Sequence, residues 1–307
     1  MKVGVNGFGR IGRLVFRALW GRPGIELVHV NDKAGDAITA AHLLTFDSVH
    51  GRWSQEAQAS GSGFQIDGHS VSYSQQSDPA AVPWDQAGVE LVLECTGKLK
   101  TAVTLQPYFD QTSVQRVIVA CPVKGTIAGA EALNIVYGIN HQLYEPGRHR
   151  LITAASCTTN CLIPILDVLE ASFGVSHGVT TTIHSAMNDQ PVIDAYHNSD
   201  LRLTRSAMHS IIPVDSGLAR GIGRLMPHLA DRFECLHVRV PTINVSAMDM
   251  AISLERDTDA AAVNACLAAA TADEYEFWAA CEAGDTKKME NLLESASDID
   301  LDYPDEG

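Results

Sequence analysis

The chain has 307 residues, a formal net charge of −15 and seven cysteines. This length is sufficient for two domains whose core needs no disulfide bonds, and the scattered cysteines favour a reducing cytoplasm. The negative charge argues against general nucleic-acid binding, because nucleic acid carries the same sign. The opening residues lack a signal-peptide pattern and no apolar run reaches about 18 residues, so we expect neither secretion nor a membrane span.

Residues 1–32 have the pattern of a β-α-β unit. The strand KVGVN leads into the helical segment GFGRIGRLVFRALW, and a second strand, IELVHVND, follows. The glycines Gly7, Gly9 and Gly12 form a G-x-G-x-x-G turn, which suits close approach of a pyrophosphate. Asp32 ends the second strand, where its carboxylate can bind a ribose diol and repel a 2′-phosphate; a helix cap or a solvated loop is its structural alternative. We predict dinucleotide binding, with NAD favoured over NADP.

Further short, apolar segments follow this unit. They are VELVLECTG at 89–97, RVIVACP at 116–122 and NIVYGIN at 134–140, and each is predicted to be a strand of the same sheet. The sequence therefore predicts an α/β protein with a Rossmann domain over residues 1–154.

A second group of chemically informative residues begins just after this border. The segment SCTTNCLIPILDVLEASFG is predicted to be a helix capped by serine, with Cys157 in its first turn, where free amides stabilise an anion. Cys161 is expected to be a small buried residue one turn later. The C-x-x-x-C spacing suits neither a structural zinc site nor a disulfide, so one reactive thiol is predicted and no metal.

A cysteine nucleophile requires a base, and His184 is the most suggestive histidine. It ends the β-branched run VTTTIHS, which is predicted to be a strand that delivers it to a domain edge. An imidazole near Cys157 can take the thiol proton and return it to a developing oxygen. A structural histidine is the alternative that spacing alone leaves open.

Taken together, these segments resemble the glyceraldehyde-3-phosphate dehydrogenase family. The motifs VNGFGRIGRL, ECTG, ASCTTNC, TTIHSAMNDQ and VRVPTINVSAMD occur in the family's order over residues 1–271. The resemblance implies that an α+β catalytic domain with an antiparallel or mixed sheet follows the Rossmann domain, over residues 155–272. It also implies a cytoplasmic homotetramer that oxidises a sugar phosphate with NAD.

The resemblance further implies a role for each matching residue. Cys157 would be the nucleophile that forms a thioester, and His184 its base. Residues implied at the cofactor are Gly7, Gly9, Arg10, Ile11, Gly12, Asp32, Thr96 and Gly97. Residues implied at the substrate and its anions are Ser156, Thr158, Ser216, Gly217 and Arg239, with Arg202 or Arg205 assisting.

Within the family, two substrates compete. The segments IHSAMNDQPVIDAYH and LRLTRSAMHSIIPVD are similar to the members that oxidise D-erythrose 4-phosphate to 4-phosphoerythronate, on the route to pyridoxal phosphate. Met187 stands where the glycolytic members have a phosphate-binding threonine, and a thioether donates no hydrogen bond. We therefore expect erythrose 4-phosphate as the substrate, with glyceraldehyde 3-phosphate and phosphorylating chemistry as the alternative.

The last segment departs from this pattern. Residues 273–307 contain twelve acidic and two basic side chains, and they resemble the first helix pair of an ankyrin array rather than the end of the family's catalytic domain. We expect a C-terminally truncated catalytic domain followed by an acidic helical tail. The alternative of another class is an inactive truncated or fused chain whose tail serves interaction.

Overall fold

The computed structural model describes residues 1–123, 132–197 and 200–283, with the backbone alone for residues 272–283. The strands are β1 Lys2–Asn6, β2 Glu26–Asn31, β3 Gln58–Ser60, β4 Gly63–Ile66, β5 His69–Ser74, β6 Leu91–Glu94, β7 Arg116–Val119, β8 Ala132–Asn134, β9 Leu151–Thr153, β10 Val175–Ser185, β11 Ile212–Pro213, β12 Phe233–Val240 and β13 Ser246–Leu254. The α-helices are α1 Arg10–Leu19, α2 Ala37–Thr45, α3 Trp84–Ala87, α4 Ala102–Asp110, α5 Cys157–Phe173, α6 Leu218–Leu225 and α7 Ala260–Ala283. Short 3₁₀ helices lie at Pro79–Ala81, His141–Leu143, Leu201–Thr204 and Pro227–Leu229.

The first sheet is built on parallel strands. Its nine strands within the described residues have the order β3-β4-β5-β2-β1-β6-β7-β9-β8, and the strands from β5 to β8 pair in parallel. The chain order reverses between β1 and β6, so the carboxyl ends of these strands open a crevice where a doubly wound sheet binds its ligand. The predicted Rossmann fold is confirmed.

Steric crowding explains why two of the three motif positions must be glycine. Gly7 has a φ of +90°, and a Cβ there would lie 2.5 Å from the amide nitrogen of Thr96. A Cβ on Gly12 would lie 2.0 Å from the carbonyl oxygen of Gly7, so the start of α1 can sit against the turn only if that side chain is absent. Gly9 meets nothing within 4 Å, which leaves its side of the turn open to the crevice.

One predicted strand is wrong in its bounds. The segment 134–140 was expected to be extended, but β8 ends at Asn134 and the chain then turns. The side chain of Asn140 holds this turn, because its amide donates to the carbonyl of Asn134 and its oxygen accepts from the amide of Val136. The strand beside β7 is instead β9, which runs directly into the turn before α5.

The second sheet is mixed and has the order β11-β12-β10-β13 among the described residues. The long strand β10 pairs in parallel with β12 and antiparallel with β13. One face of this sheet is covered by α5 and α6, which bury Leu162, Leu166 and Ile222 against Phe233 of β12. The expected α+β architecture with a mixed sheet is confirmed, while the border at 154/155 stays a prediction.

A buried polar cluster joins β1, β6 and α4. The carboxylate of Glu94 is 1% exposed and accepts hydrogen bonds from Asn6 Nδ2 and Tyr108 Oη, both at 2.7 Å. Its second oxygen accepts from the amide of Thr96 at 2.9 Å and from the Thr96 hydroxyl. Burial raises the pKa of Glu94, although these donors act in the opposite direction. The cluster fixes the loop that follows β6 at the mouth of the crevice.

Helix α7 crosses the predicted border at 272/273 without a break in its backbone and packs against α5. The predicted helix pair of the tail has its second half in residues 284–307, which lie outside the described residues. Among the helices that are described, none combines the length and the apolar character needed to cross a membrane.

The Glu94 cluster yields a stability prediction. Glu94→Ala leaves the buried Tyr108 hydroxyl without its acceptor and removes one of the two acceptors of Asn6 Nδ2, so the free energy of unfolding should fall by about 2–4 kcal/mol. Urea denaturation at pH 7 measures this change. Glu26→Ala is the matched control, because Glu26 is an exposed residue of β2 and its removal should change the free energy by less than about 0.5 kcal/mol. Equal unfolding curves for Glu94→Ala and the parent would contradict the prediction.

Candidate active site

A cavity of about 670 Å³ opens where the crevice of the first sheet meets α5 and the second sheet. Among the predicted site residues, the structure brings the following to its wall: Gly9, Arg10, Ile11, Thr96, Gly97, Ser156, Cys157, Thr158, His184, Ser216, Gly217 and Arg239. These residues come from six separate parts of the chain. The residues that the family resemblance implied, although distant in the sequence, therefore lie together in the folded chain.

A tight turn between β9 and α5 presents Cys157. Ala155 is buried and has a φ of +55°, a left-handed conformation that is costly for a residue with a side chain. Ser156 caps α5 by accepting from the amide of Thr159 at 3.1 Å, and Asn160 Nδ2 donates to the carbonyls of Ala154 and Ser156. Cys157 is consequently the first residue of α5, it is exposed, and it lines the cavity at the start of this helix.

His184 faces this thiol. It lies at the end of β10, it is 7% exposed, and its Nε2 is 3.5 Å from Cys157 Sγ. Its Nδ1 is 2.7 Å from the carbonyl oxygen of Ser185 and 2.5 Å from Arg239 Nη1. When the proton is on Nδ1, the ring donates to Ser185 and the lone pair of Nε2 points at the thiol. This tautomer is the one that can act as a base toward Cys157.

The surroundings of His184 favour its neutral form. Burial is the main cause that lowers the pKa of His184, the carbonyl of Ser185 acts against it, and the positive charges of Arg239 and Arg10 lower it further. Arg239 is itself 9% exposed, and burial lowers the pKa of its guanidinium. The imidazole is thus available as a proton acceptor at neutral pH.

A second cavity, of about 230 Å³, continues from the first along the ends of β1 and β2 and shares Gly9, Cys95 and Thr96 with it. Asp32 lies in its wall, and the two carboxylate oxygens accept from the amides of Phe8 at 2.6 Å and Ala34 at 2.8 Å. The open side of Gly9 and the uncapped start of α1 offer backbone amides to a pyrophosphate. These features fit an NAD whose adenosine lies toward Asp32 and whose nicotinamide lies toward Cys157.

Sequence reasoning missed several cationic residues of the main cavity. Arg220 and Arg224 lie one turn apart on α6 and, with Lys100, line the wall that also holds Ser216 and Gly217. Their i, i+4 spacing directly after the predicted Ser216 was the available signal. The cavity can therefore receive more than one anionic group.

The structure does not bring Arg202 and Arg205 to this cavity. Arg202 pairs with Asp200 at 2.8 Å and with Asp215 at 3.0 Å, in a neighbouring depression of the surface. Arg205 pairs with Asp194 at 2.6 Å. The expectation that one of them assists at a substrate anion is not supported, because their guanidinium groups are already engaged by carboxylates.

The prediction that Cys161 is buried is wrong. Residues Thr159, Leu162, Ile163, Leu166 and Leu169 form the buried face of α5, and Cys161 lies outside that face and is exposed. Among the described residues, no group of three or more His, Cys, Asp or Glu side chains is placed to hold a metal ion.

The doubly wound sheet, its crevice and the adjoining cavity are the features of a nucleotide-dependent dehydrogenase. Residues 1–102 match the family model described as "Glyceraldehyde 3-phosphate dehydrogenase, NAD binding domain", and residues 156–298 match "Glyceraldehyde 3-phosphate dehydrogenase, C-terminal domain". Over 271 aligned residues the chain is 49% identical to "Glyceraldehyde-3-phosphate dehydrogenase 3" of Nostoc sp.. The aligned residues are 88% of this chain and 78% of that relative. The chain belongs to the glyceraldehyde-3-phosphate dehydrogenase family and is an NAD-dependent sugar-phosphate dehydrogenase.

These comparisons confirm the family, the enzyme class and the cofactor. They give no support to the erythrose 4-phosphate expectation, because the relative is named for glyceraldehyde 3-phosphate. The comparisons also do not support an ankyrin-like tail, because the match to the C-terminal domain of the family extends to residue 298.

The thiol environment predicts selective alkylation. Iodoacetamide at pH 7 should label Cys157 at least about tenfold faster than Cys161. Cys157 lies at the start of α5 and next to the imidazole of His184, whereas Cys161 lies one turn further along the helix. Peptide mass spectrometry after short exposure measures the two rates. Cys161→Ser should leave the rate at Cys157 unchanged, and preferential labelling of Cys161 would overturn the assignment.

The position of Asp32 predicts cofactor selectivity. The parent should bind NAD more tightly than NADP, and Asp32→Asn should reduce this preference by about tenfold, because a neutral amide no longer repels a 2′-phosphate. Isothermal titration with each nucleotide gives the four dissociation constants. Asp36→Asn is the control, since Asp36 caps α2 outside both cavities. An unchanged preference in Asp32→Asn would show that Asp32 does not face the 2′ position.

Proposed function

We propose that this chain oxidises glyceraldehyde 3-phosphate with NAD and inorganic phosphate, and forms the corresponding acyl phosphate. The supporting observation for the chemistry is the 3.5 Å approach of Cys157 Sγ to His184 Nε2 inside a cation-lined cavity. The name of the 49% identical relative supports the substrate.

The first step is addition of Cys157 to the aldehyde. His184 Nε2 accepts the thiol proton, and the thiolate forms a C–S bond at the carbonyl carbon, whose π electrons move to oxygen. The imidazolium then gives the proton to that oxygen, so that a neutral hemithioacetal results. The amide of Cys157, at the start of α5, lies where it can donate to the oxygen as negative charge develops.

The second step is oxidation of the hemithioacetal. NAD held by the glycine turn and Asp32 would supply the hydride acceptor for the former aldehyde carbon. His184 Nε2 takes the hydroxyl proton as the hydride departs, which leaves a thioester on Cys157 and a protonated imidazole. An oxygen of inorganic phosphate then attacks the thioester carbon, the C–S bond breaks, and the sulfur leaves as a thiolate. Arg239 and Ser216 are in the cavity wall, where they can hold an anion.

Met187 favours a second candidate, oxidation of erythrose 4-phosphate with release of the thioester by water. The Met187 side chain is 38% exposed and lies in the cavity wall between the two sheets. Its thioether offers no hydrogen-bond donor to a phosphate at this point. An enzyme that uses water needs no inorganic phosphate there, so the two candidates differ in their phosphate requirement.

Steady-state NAD reduction discriminates between them. The purified full chain is assayed at 340 nm with each aldose phosphate, in the presence and absence of inorganic phosphate. We expect turnover of glyceraldehyde 3-phosphate that falls at least about tenfold when phosphate is omitted, because the thioester then persists. Arsenate should replace phosphate, since it is a tetrahedral oxyanion of the same charge.

Turnover of erythrose 4-phosphate that is faster and independent of phosphate would instead establish the second candidate. Cys157→Ser should abolish NAD reduction with either substrate, because serine lacks an activated nucleophile at this pH. If the parent and Cys157→Ser show the same residual rate with both substrates, the chain is not a working dehydrogenase.

A further inference from the structure

His237 has no role in the steps above, yet its ring lies against that of His184. The two ring centroids are 5.1 Å apart and the planes are inclined by 26°, which is an offset stack. The register of the parallel pair explains the contact: His184 is opposite Arg239 and Thr182 is opposite His237, so the two imidazoles are diagonal neighbours on the same side of the sheet.

Within the described residues, no side-chain hydrogen bond explains why a histidine occupies this position. Nε2 of His237 is buried and has no hydrogen-bond partner within the described part of the chain. Burial lowers the pKa of His237 to about 4, and Arg239 and His184 act in the same direction. At neutral pH the side chain of His237 is therefore an uncharged aromatic ring, and it contacts His184 by stacking.

The charged groups around His237 come from several elements. Arg239 lies two residues further along β12, His184 faces it from β10, and Asp189 follows β10 and partly offsets the positive charge. Arg220 of α6 lines the same two cavities as His237. Burial is the main cause that keeps His237 neutral, and the positive charge of Arg239 acts in the same direction because it would repel a further imidazolium.

We propose that His237 is a positioning residue for His184: its ring covers one face of the catalytic imidazole, keeps Nε2 directed at Cys157 and excludes water from the base. The inference deepens the proposed function and rests on it for its catalytic meaning. A flat ring is sufficient for this role, so the stack, and not the nitrogen atoms of His237, is what the reaction requires.

The stack has a consequence for pH dependence. Burial is the main cause of the lowered pKa of His184, and the ring of His237 contributes to that burial. Without the ring, water reaches the imidazole and its charged form becomes easier to make. The pKa of His184 should then rise toward its usual value. Neutral His184 accepts the proton during hydride transfer, so the acid limb of NAD reduction should move to higher pH.

The test measures the titration of His184 directly. Chains labelled with ¹⁵N-histidine and carrying Cys157→Ser are titrated by NMR, with His184→Gln used to assign the signal. We expect His237→Ala and His237→Asn to raise the titration midpoint of His184 by about 0.5–1 pH unit, and His237→Phe to leave it within about 0.2. In the chain that retains Cys157, His237→Ala and His237→Asn should move the acid limb of NAD reduction to higher pH by a similar amount, and His237→Phe should leave it in place.

Two further measurements keep the outcomes distinct. His177→Ala is the control, because His177 is an exposed histidine near the far end of the same strand β10. Thermal melts identify a variant that fails to fold. If His237→Ala fails to fold, the titration of His237→Asn tests the proposal instead. An unchanged midpoint in both ring-deleting variants, or an equal rise in His237→Phe, would overturn the proposal. Absence of NAD reduction in the parent would defeat the proposed function, while the NMR titration would still decide the role of His237.

Discussion

The catalytic arrangement depends on one sharp turn, between the end of β9 and the start of α5. The left-handed residue Ala155 changes the direction of the chain within three residues, and Asn160 holds the turn through two carbonyls. Strained backbone of this kind persists where the surrounding packing determines it, and here α5 is anchored by its buried face. This turn, which joins the first sheet to the helix that covers the second, thus ends at Cys157, the proposed nucleophile.

The two sheets supply different kinds of rigidity. In the first sheet, the carboxylate of Glu94 accepts hydrogen bonds from β1, from α4 and from the loop that follows β6. These hydrogen bonds fix the mouth of the cofactor crevice. In the second sheet, His184 in the tautomer that can act as a base is held by the carbonyl of Ser185 and by an aromatic ring. Buried polar networks of this sort specify geometry because each unsatisfied partner is costly in a low-dielectric interior. The base and the cofactor site are consequently positioned independently of each other.

Local patterns in the sequence were sufficient for the parts of the fold that depend on neighbouring residues. The glycine turn, the capped start of α5 and the strand that carries His184 follow from short-range sterics and capping. The end of β8 and the exposure of Cys161 depend on which residues are distant partners, and periodicity does not contain that information. The same limit applies to Arg202, whose second carboxylate partner, Asp215, is adjacent only after folding, and to His237, whose neighbour lies on another strand.

The contrast between an acidic molecule and its basic cavity bears on how substrates arrive. The chain carries a net charge of −15, whereas the cavity wall contains Arg10, Lys100, Arg220, Arg224 and Arg239 against the single carboxylate of Asp215 among the lining residues. At physiological ionic strength a charge is felt over about 8 Å, so these cations attract a phosphate ester only when it is near this opening. Diffusional capture is therefore confined to a small target, and its rate depends on ionic strength through two opposed contributions.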